Sequence, residues 1–79
     1  MKFTPENIGA VVRNTRKKLG VTQRALAMTS GTGLRFIIDM EKGKPTCQIS
    51  KVLTALQTLG IKIELIPPAG SGEEAKKGK

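Results

Sequence analysis

Apolar positions recur at helical spacing through most of the chain and switch to strict alternation only near its end. Between Pro5 and Leu19, Ile8, Val11, Val12 and Leu19 form one stripe that Ala10 and Thr15 can share. Arg13, Asn14, Arg16, Lys17 and Lys18 fall mostly elsewhere, as in an amphipathic helix. Thr4 and Pro5 supply an N-cap and a first helical residue, and Gly20 supplies the C-terminal stop. The three cations of the last turn suit the negative end of the helix dipole.

Thr22 opens a second helix, with Ala25, Leu26 and Ala27 near its inner side, which ends in the small-residue stretch 29–33. A third helix is predicted over about 34–42, stopped by Gly43 with Lys44-Pro45 beyond it. Thr46 is expected to cap a fourth helix reaching Leu59, in which Ile49, Val52, Leu53, Leu56 and Leu59 repeat at i, i+3, i+4. Gly60 ends that helix. Residues 61–66, IKIELI, change to period two and predict a strand closed by Pro67-Pro68. The remaining AGSGEEAKKGK has the composition of a disordered tail. The expected architecture is mainly α: a four- to five-helix domain over 1–66 with one C-terminal strand, then a tail over 67–79.

Composition narrows what such a domain does. Seventy-nine residues leave room for one core, and with two aromatics (Phe3 and Phe36) aliphatic side chains must fill it. There is no His, the commonest general base and transition-metal ligand. A single Cys47 excludes an intramolecular disulfide and any Cys-rich metal site, and matches a reducing compartment. No run approaches the ~18 apolar residues that span a bilayer, and MKFTPEN lacks the apolar stretch of a signal peptide. With no paired carboxylates and no phosphate loop either, the expectation is a small cytoplasmic domain that is not an enzyme, needs no metal or cofactor and avoids membranes.

Charge points to the partner. Fourteen Lys and Arg against six Asp and Glu give a net charge of +8. Residues 1–66 hold eleven of the cations and four of the acids, so the folded part alone carries +7. An excess of that size, uncompensated by acids, favours a polyanion, and nucleic acid first among them.

The block VTQRALAMTSGTGLRFIIDMEKGK, residues 21–44, gives that expectation a shape. Two short helices joined by a tight turn, with a basic residue early in the second, form a helix-turn-helix pattern whose second helix enters the DNA major groove. Thr22-Gln23, Leu26-Ala27, Gly31, Phe36-Ile37 and the run Asp39-Met40-Glu41-Lys42-Gly43-Lys44 resemble the phage-repressor-like (Xre) helix-turn-helix regulators, from about Ile8 through Ile66. The resemblance implies a lambda-repressor-like fold.

Within the block, Gln23 at a helix N-terminus suits a phosphate oxygen, and Gly31 supplies a turn residue with little bulk or positive φ. Thr32, Gly33, Leu34, Arg35 and Ile38 are expected to face the groove, while Phe36, Ile37 and Met40 face inward. Arg35 is the candidate base reader, since a guanidinium meets guanine O6 and N7 bidentately; contact with phosphate is its alternative role. Leu34 and Ile38 suit a thymine methyl or simple packing. Where the family commonly starts the recognition helix with a small hydroxyl residue, Gly33 stands, so a side-chain cap comes from Thr32 or is absent. Asp39 and Glu41 are poor groove residues and read as structural partners of cations such as Lys42 or Arg35. Lys42, Lys44 and Thr46 form a second candidate phosphate cradle, next to Cys47, which reads as a redox-responsive thiol or a small packing residue. Lys17 and Lys18 either reach the DNA backbone or only solubilise their helix.

A lone strand cannot satisfy its own backbone, and the chain offers no second one. The simplest remedy is the same segment of a second copy, related by a two-fold axis. Antiparallel pairing centred on Ile63 sets Lys62 opposite Glu64 and Ile61 opposite Leu65, with Ile66 at the strand end; the face of Ile61, Ile63 and Leu65 would then cover Leu53, Leu56 and Leu59. An apolar strand directly after the last helix resembles the HipB-like antitoxin branch. That resemblance implies a homodimer joined by this strand, double-stranded operator DNA as ligand, nucleoid association when bound, and a HipA-like serine/threonine kinase toxin as partner. A stand-alone regulator without a toxin is the alternative.

Overall fold

Threonine hydroxyls start the first two helices. Thr4 accepts the Asn7 N–H at 3.0 Å and Thr22 accepts the Ala25 N–H at 3.0 Å, opening α1 (Pro5–Lys18) and α2 (Gln23–Ser30). A third helix, α3, spans Leu34–Glu41 and a fourth, α4, spans Ile49–Thr58. The computed structural model describes residues 3–69, so residues 70–79 of the expected tail lie outside the described residues.

The helices surround one small aliphatic core. Val12 of α1, Leu26 and Ala27 of α2, Ile37 and Met40 of α3, and Ala55 and Leu56 of α4 are buried together. Ile8, Val21, Leu34, Phe36, Cys47, Val52, Leu59 and Ile61 pack around them. α3 lies against both α1 and α2, and α4 closes the other side of α2. The inward face expected of α3 is therefore present, with Phe36 half-buried at its margin. Lys51 of α4 covers the ring of Phe36, its ammonium 5.9 Å from the centroid.

Gly9 makes the α1–α3 approach feasible. A Cβ there would press into the carbonyl oxygen of Met40 and stand 2.9 Å from that of Glu41. Backbone cannot yield as a flexible side chain does, so alanine would have to push the two helices apart. The contact lies at the end of α3, where Glu41 reaches back toward α1.

Three expectations need correction. Thr46 does not cap α4: the chain turns at Pro45-Thr46, and the first carbonyl to accept a helical bond is that of Gln48, from Val52 N–H at 3.1 Å. Gln48 is thus the N-cap; its side chain caps no backbone N–H and instead donates from Nε2 to Ser50 Oγ at 3.1 Å. The stripe of α4 is also only partly inward. Ile49 is 71% exposed and Leu53 42% exposed, while the inconspicuous Ala55 is fully buried.

The third concerns residues 61–66. They run on from α4, with Ile61 N–H bonded to Leu56 C=O at 2.9 Å, but form no strand ladder among the described residues. Ile61 packs on the core and Ile63 lines an apolar groove with Phe3, Ile8, Val11 and Leu56. Leu65 and Ile66 are 79% and 82% exposed, so they do not cover α4 within one chain. A ladder needs a second strand, and none stands among the described residues.

Candidate nucleic-acid interface

The turn between α2 and α3 is built by small polar residues. Gly31 adopts φ 70° and ψ 19°, and its N–H bonds to Ala27 C=O at 2.9 Å. Ser30 Oγ donates to Leu26 C=O at 2.7 Å and shares a 2.8 Å hydrogen bond with Thr32 Oγ1. Thr32 is consequently buried, its hydroxyl turned into the turn and away from the surface on which it was expected. Gly33 then enters α3 at φ 94° with no side-chain cap. That backbone conformation is one a serine or threonine rarely adopts, which explains why a hydroxyl residue does not stand there.

α3 presents little but Arg35 at full exposure: its side chain is 82% accessible. Leu34 is half-buried against the core, and Ile38, one turn further along the same face, is half-buried beside Arg16 and Gln23. Lys42, Lys44 and Thr46 follow on the surface beyond its C-terminus. The structure therefore groups Arg35, Lys42, Lys44 and Thr46 as exposed groups, while Thr32 and Leu34 are turned inward.

Both acids of α3 are withdrawn. Asp39 stands 3.6 Å from Arg35 Nε and 3.5 Å from Lys44 Nζ. Glu41, 4% exposed at its side chain, reaches α1: Arg16 Nε donates to Oε2 at 2.6 Å and Nη2 donates to Oε1 at 3.0 Å. Arg16 also donates from Nη1 to Val21 C=O at 2.9 Å. The hydrogen bonds of Glu41, opposed by burial and aided by its charge, raise the Arg16 pKa above its ordinary value, so the guanidinium stays protonated. Glu41 therefore pairs with Arg16 rather than with Lys42.

Gln23 joins the same cluster. Its Nε2 donates to Glu41 Oε1 at 3.1 Å, which fixes the side chain at the start of α2. The amide nitrogen expected to meet a phosphate is thus engaged by protein. Gln23, Ile38, Arg16 and Glu41 floor an open cleft of about 380 Å³ whose rim is Arg13, Lys17 and Lys42.

Sequence reasoning missed Arg13 as a rim residue and Arg16 as an interior one. The signal for Arg16 is its spacing: it follows Val12 by four and Gly9 by seven, on the buried face of α1. With Asp39 and Glu41 held in ion pairs, exposed cations predominate on α3, its C-terminal loop and the rim of α1, and Glu6 beside Gly43 is the exposed acid of that region.

The chain is 53% identical, over 73 residues, to the HTH-type transcriptional regulator y4mF of Sinorhizobium fredii, a match that covers 92% of each chain. The chain belongs to the HTH-type transcriptional regulators. No protein-family model matches it. Among solved structures, the fold of this regulator is similar to that of a HipB variant in its complex with the O2 20-mer, at a TM-score of 0.76 and 22% identity, covering 87% of this chain and 94% of that one. The regulator is a DNA-binding protein rather than an enzyme. The two short helices joined by the tight turn at 31–33, α2 and α3, have the arrangement of a helix-turn-helix. Among the described residues no helix is long and apolar enough to cross a membrane.

Proposed function

We propose that this regulator represses transcription in the cytoplasm by placing α3 in the major groove of a specific operator, presented twice by a homodimer. The observation that carries the reading is the charge arrangement of α3: one fully exposed arginine, with both acids of the helix held in ion pairs. Arg35 reads a guanine by its terminal fork, with Ile38 beside it against a base methyl. Arg13, Lys17, Lys42 and Lys44, with the N-terminus of α2 at Gln23, hold flanking phosphates and fix the register. Gly33 and the backbone at Thr32 allow close approach of the helix start.

Two copies pair through residues 61–66 in the register that opposes Lys62 and Glu64. The exposed Leu65 and Ile66 and a backbone left without a ladder support this pairing. Half-sites then lie about one helical turn, ~34 Å, or a multiple apart. We further propose that the regulator is a HipB-like antitoxin that binds a HipA-like serine/threonine kinase. The fold likeness to HipB supports that partnership, as does the apolar segment after the last helix.

Two substitutions separate readout from anchoring. Arg35→Ala is expected to relax preference at one base pair of each half-site and to weaken operator binding by about 1–3 kcal/mol. Lys42→Gln is expected to weaken all sequences alike and to flatten the dependence of log K on log salt by about one. Titration of operator and scrambled duplexes at several salt concentrations reads both. Unaltered base preference in Arg35→Ala contradicts its assignment.

A further inference from the structure

Asp39 places a carboxylate on the helix that faces DNA, where phosphate repulsion penalises it, and folding stability does not explain its presence. Its two ion pairs, at 3.6 and 3.5 Å, involve cations whose side chains are 82% and 54% exposed. Such pairs contribute little to stability. The acid also stands in the last turn of α3, the end at which the helix dipole disfavours negative charge.

Its geometry suits a different task. Asp39 lies one turn beyond Arg35, and its Oδ1 approaches Nε, the inner nitrogen of the guanidinium. Oδ2 faces Lys44 Nζ, and the Lys44 N–H is itself bonded to the Asp39 carbonyl at 3.1 Å, so the C-terminal loop is tied to the same residue. The Asp39 side chain is only 20% exposed and is flanked by a cation on each side. A carboxylate engaging Nε leaves the two terminal nitrogens, the edge that meets guanine O6 and N7, directed outward. The ion pair also favours rotamers in which Nε faces Asp39, so that less of the arginine's freedom remains to be lost on binding.

We propose that Asp39 is a positioning residue for sequence readout: it holds Arg35 for one base pair and, by repelling phosphate, lowers affinity for every other sequence. The inference rests on Arg35 reading a base. It gives the carboxylate two effects of opposite sign, weaker general binding and sharper discrimination, that a structural ion pair does not produce.

The test uses the full chain carrying Asp39→Asn, which keeps side-chain size and removes the charge. It is titrated against operator duplexes varied at single base pairs and against scrambled DNA, beside Arg35→Ala and the double variant. Asp39→Asn is expected to bind scrambled DNA several-fold more tightly while discrimination falls roughly tenfold at the one position that Arg35→Ala also relaxes, within the range of a single bidentate contact. In the Arg35→Ala background it should alter base preference no further. Helical content and melting temperature near those of the parent accompany this result.

Uniform weakening on all duplexes with preference intact overturns the proposal and leaves Asp39 a structural residue. A change of preference in the double variant beyond that of Arg35→Ala overturns it in favour of a direct base contact by Asp39. If Arg35→Ala itself leaves preference intact, the reading beneath the proposal fails and the proposal with it. If only Asp39→Asn does so, the proposal alone fails.

Discussion

Glu41→Ala is expected to remove about 3–5 kcal/mol of folding stability, a loss comparable to the whole stability of many domains of this size. The reason is the asymmetry of a buried ion pair. Removing one partner leaves the Arg16 guanidinium, 10% exposed, with only the Val21 carbonyl for company, and it also frees the Gln23 amide. Thermal denaturation should show the midpoint falling by some tens of degrees, since each kcal/mol is worth about 4–8 °C in a small domain. Replacing the pair together, as Arg16→Met with Glu41→Leu, should recover most of that loss, because no buried charge remains. A single substitution costing under about 1 kcal/mol would mean that water reaches the pair and that it does not join α1 to α3.

Removal of residues 62–66 should convert a dimer into a monomer. The deletion spares Ile61, which packs on the core, so each domain keeps its helices. Operator affinity should then fall by about 10²–10⁴-fold, the advantage that linking two weak half-site contacts confers, while affinity for an isolated half-site changes little. Sedimentation and duplex titration read the two effects separately. A dimer that survives the deletion contradicts pairing through this segment. Lys62→Glu offers a finer check, because it opposes like charges twice across the two-fold, and adding Glu64→Lys should restore attraction.

Much of this molecule was legible in its sequence because its local signals agree. Thr4 and Thr22 cap the helices they precede, Gly31 takes the left-handed turn, and Ile37 and Met40 are buried as their spacing requires. The failures occur where an outcome depends on distant neighbours. Thr46 resembles a cap, but the turn at Pro45 delays the helix to Ile49. Thr32 resembles a surface hydroxyl until Ser30 claims it. Arg16 counted among solvated cations because its acid lies 25 residues away. Residues 61–66 alternate as a strand does, yet a ladder requires a partner strand, and none stands among the described residues.

In the candidate interface, sequence pattern identified Arg35, Lys42 and Lys44 as exposed cations, and the structure agrees. What pattern could not reveal is that Gln23, Arg16 and Glu41 form one hydrogen-bonded unit beneath the rim of Arg13, Lys17 and Lys42. That unit couples the start of α2 to the end of α3. The placement of α3 relative to α1 and α2 therefore depends on a buried acid rather than on the exposed surface alone.

Guanine N7 lies in the major groove, so its protection from methylation reports directly on whether α3 enters there. The bound regulator is expected to protect guanines in two symmetric patches about 34 Å, or a multiple of that, apart on one face of the duplex, and Arg35→Ala is expected to lose one protected guanine from each patch. Guanine N7 positions left fully reactive beneath a bound protein, or protection unaltered by loss of Arg35, would contradict this expectation.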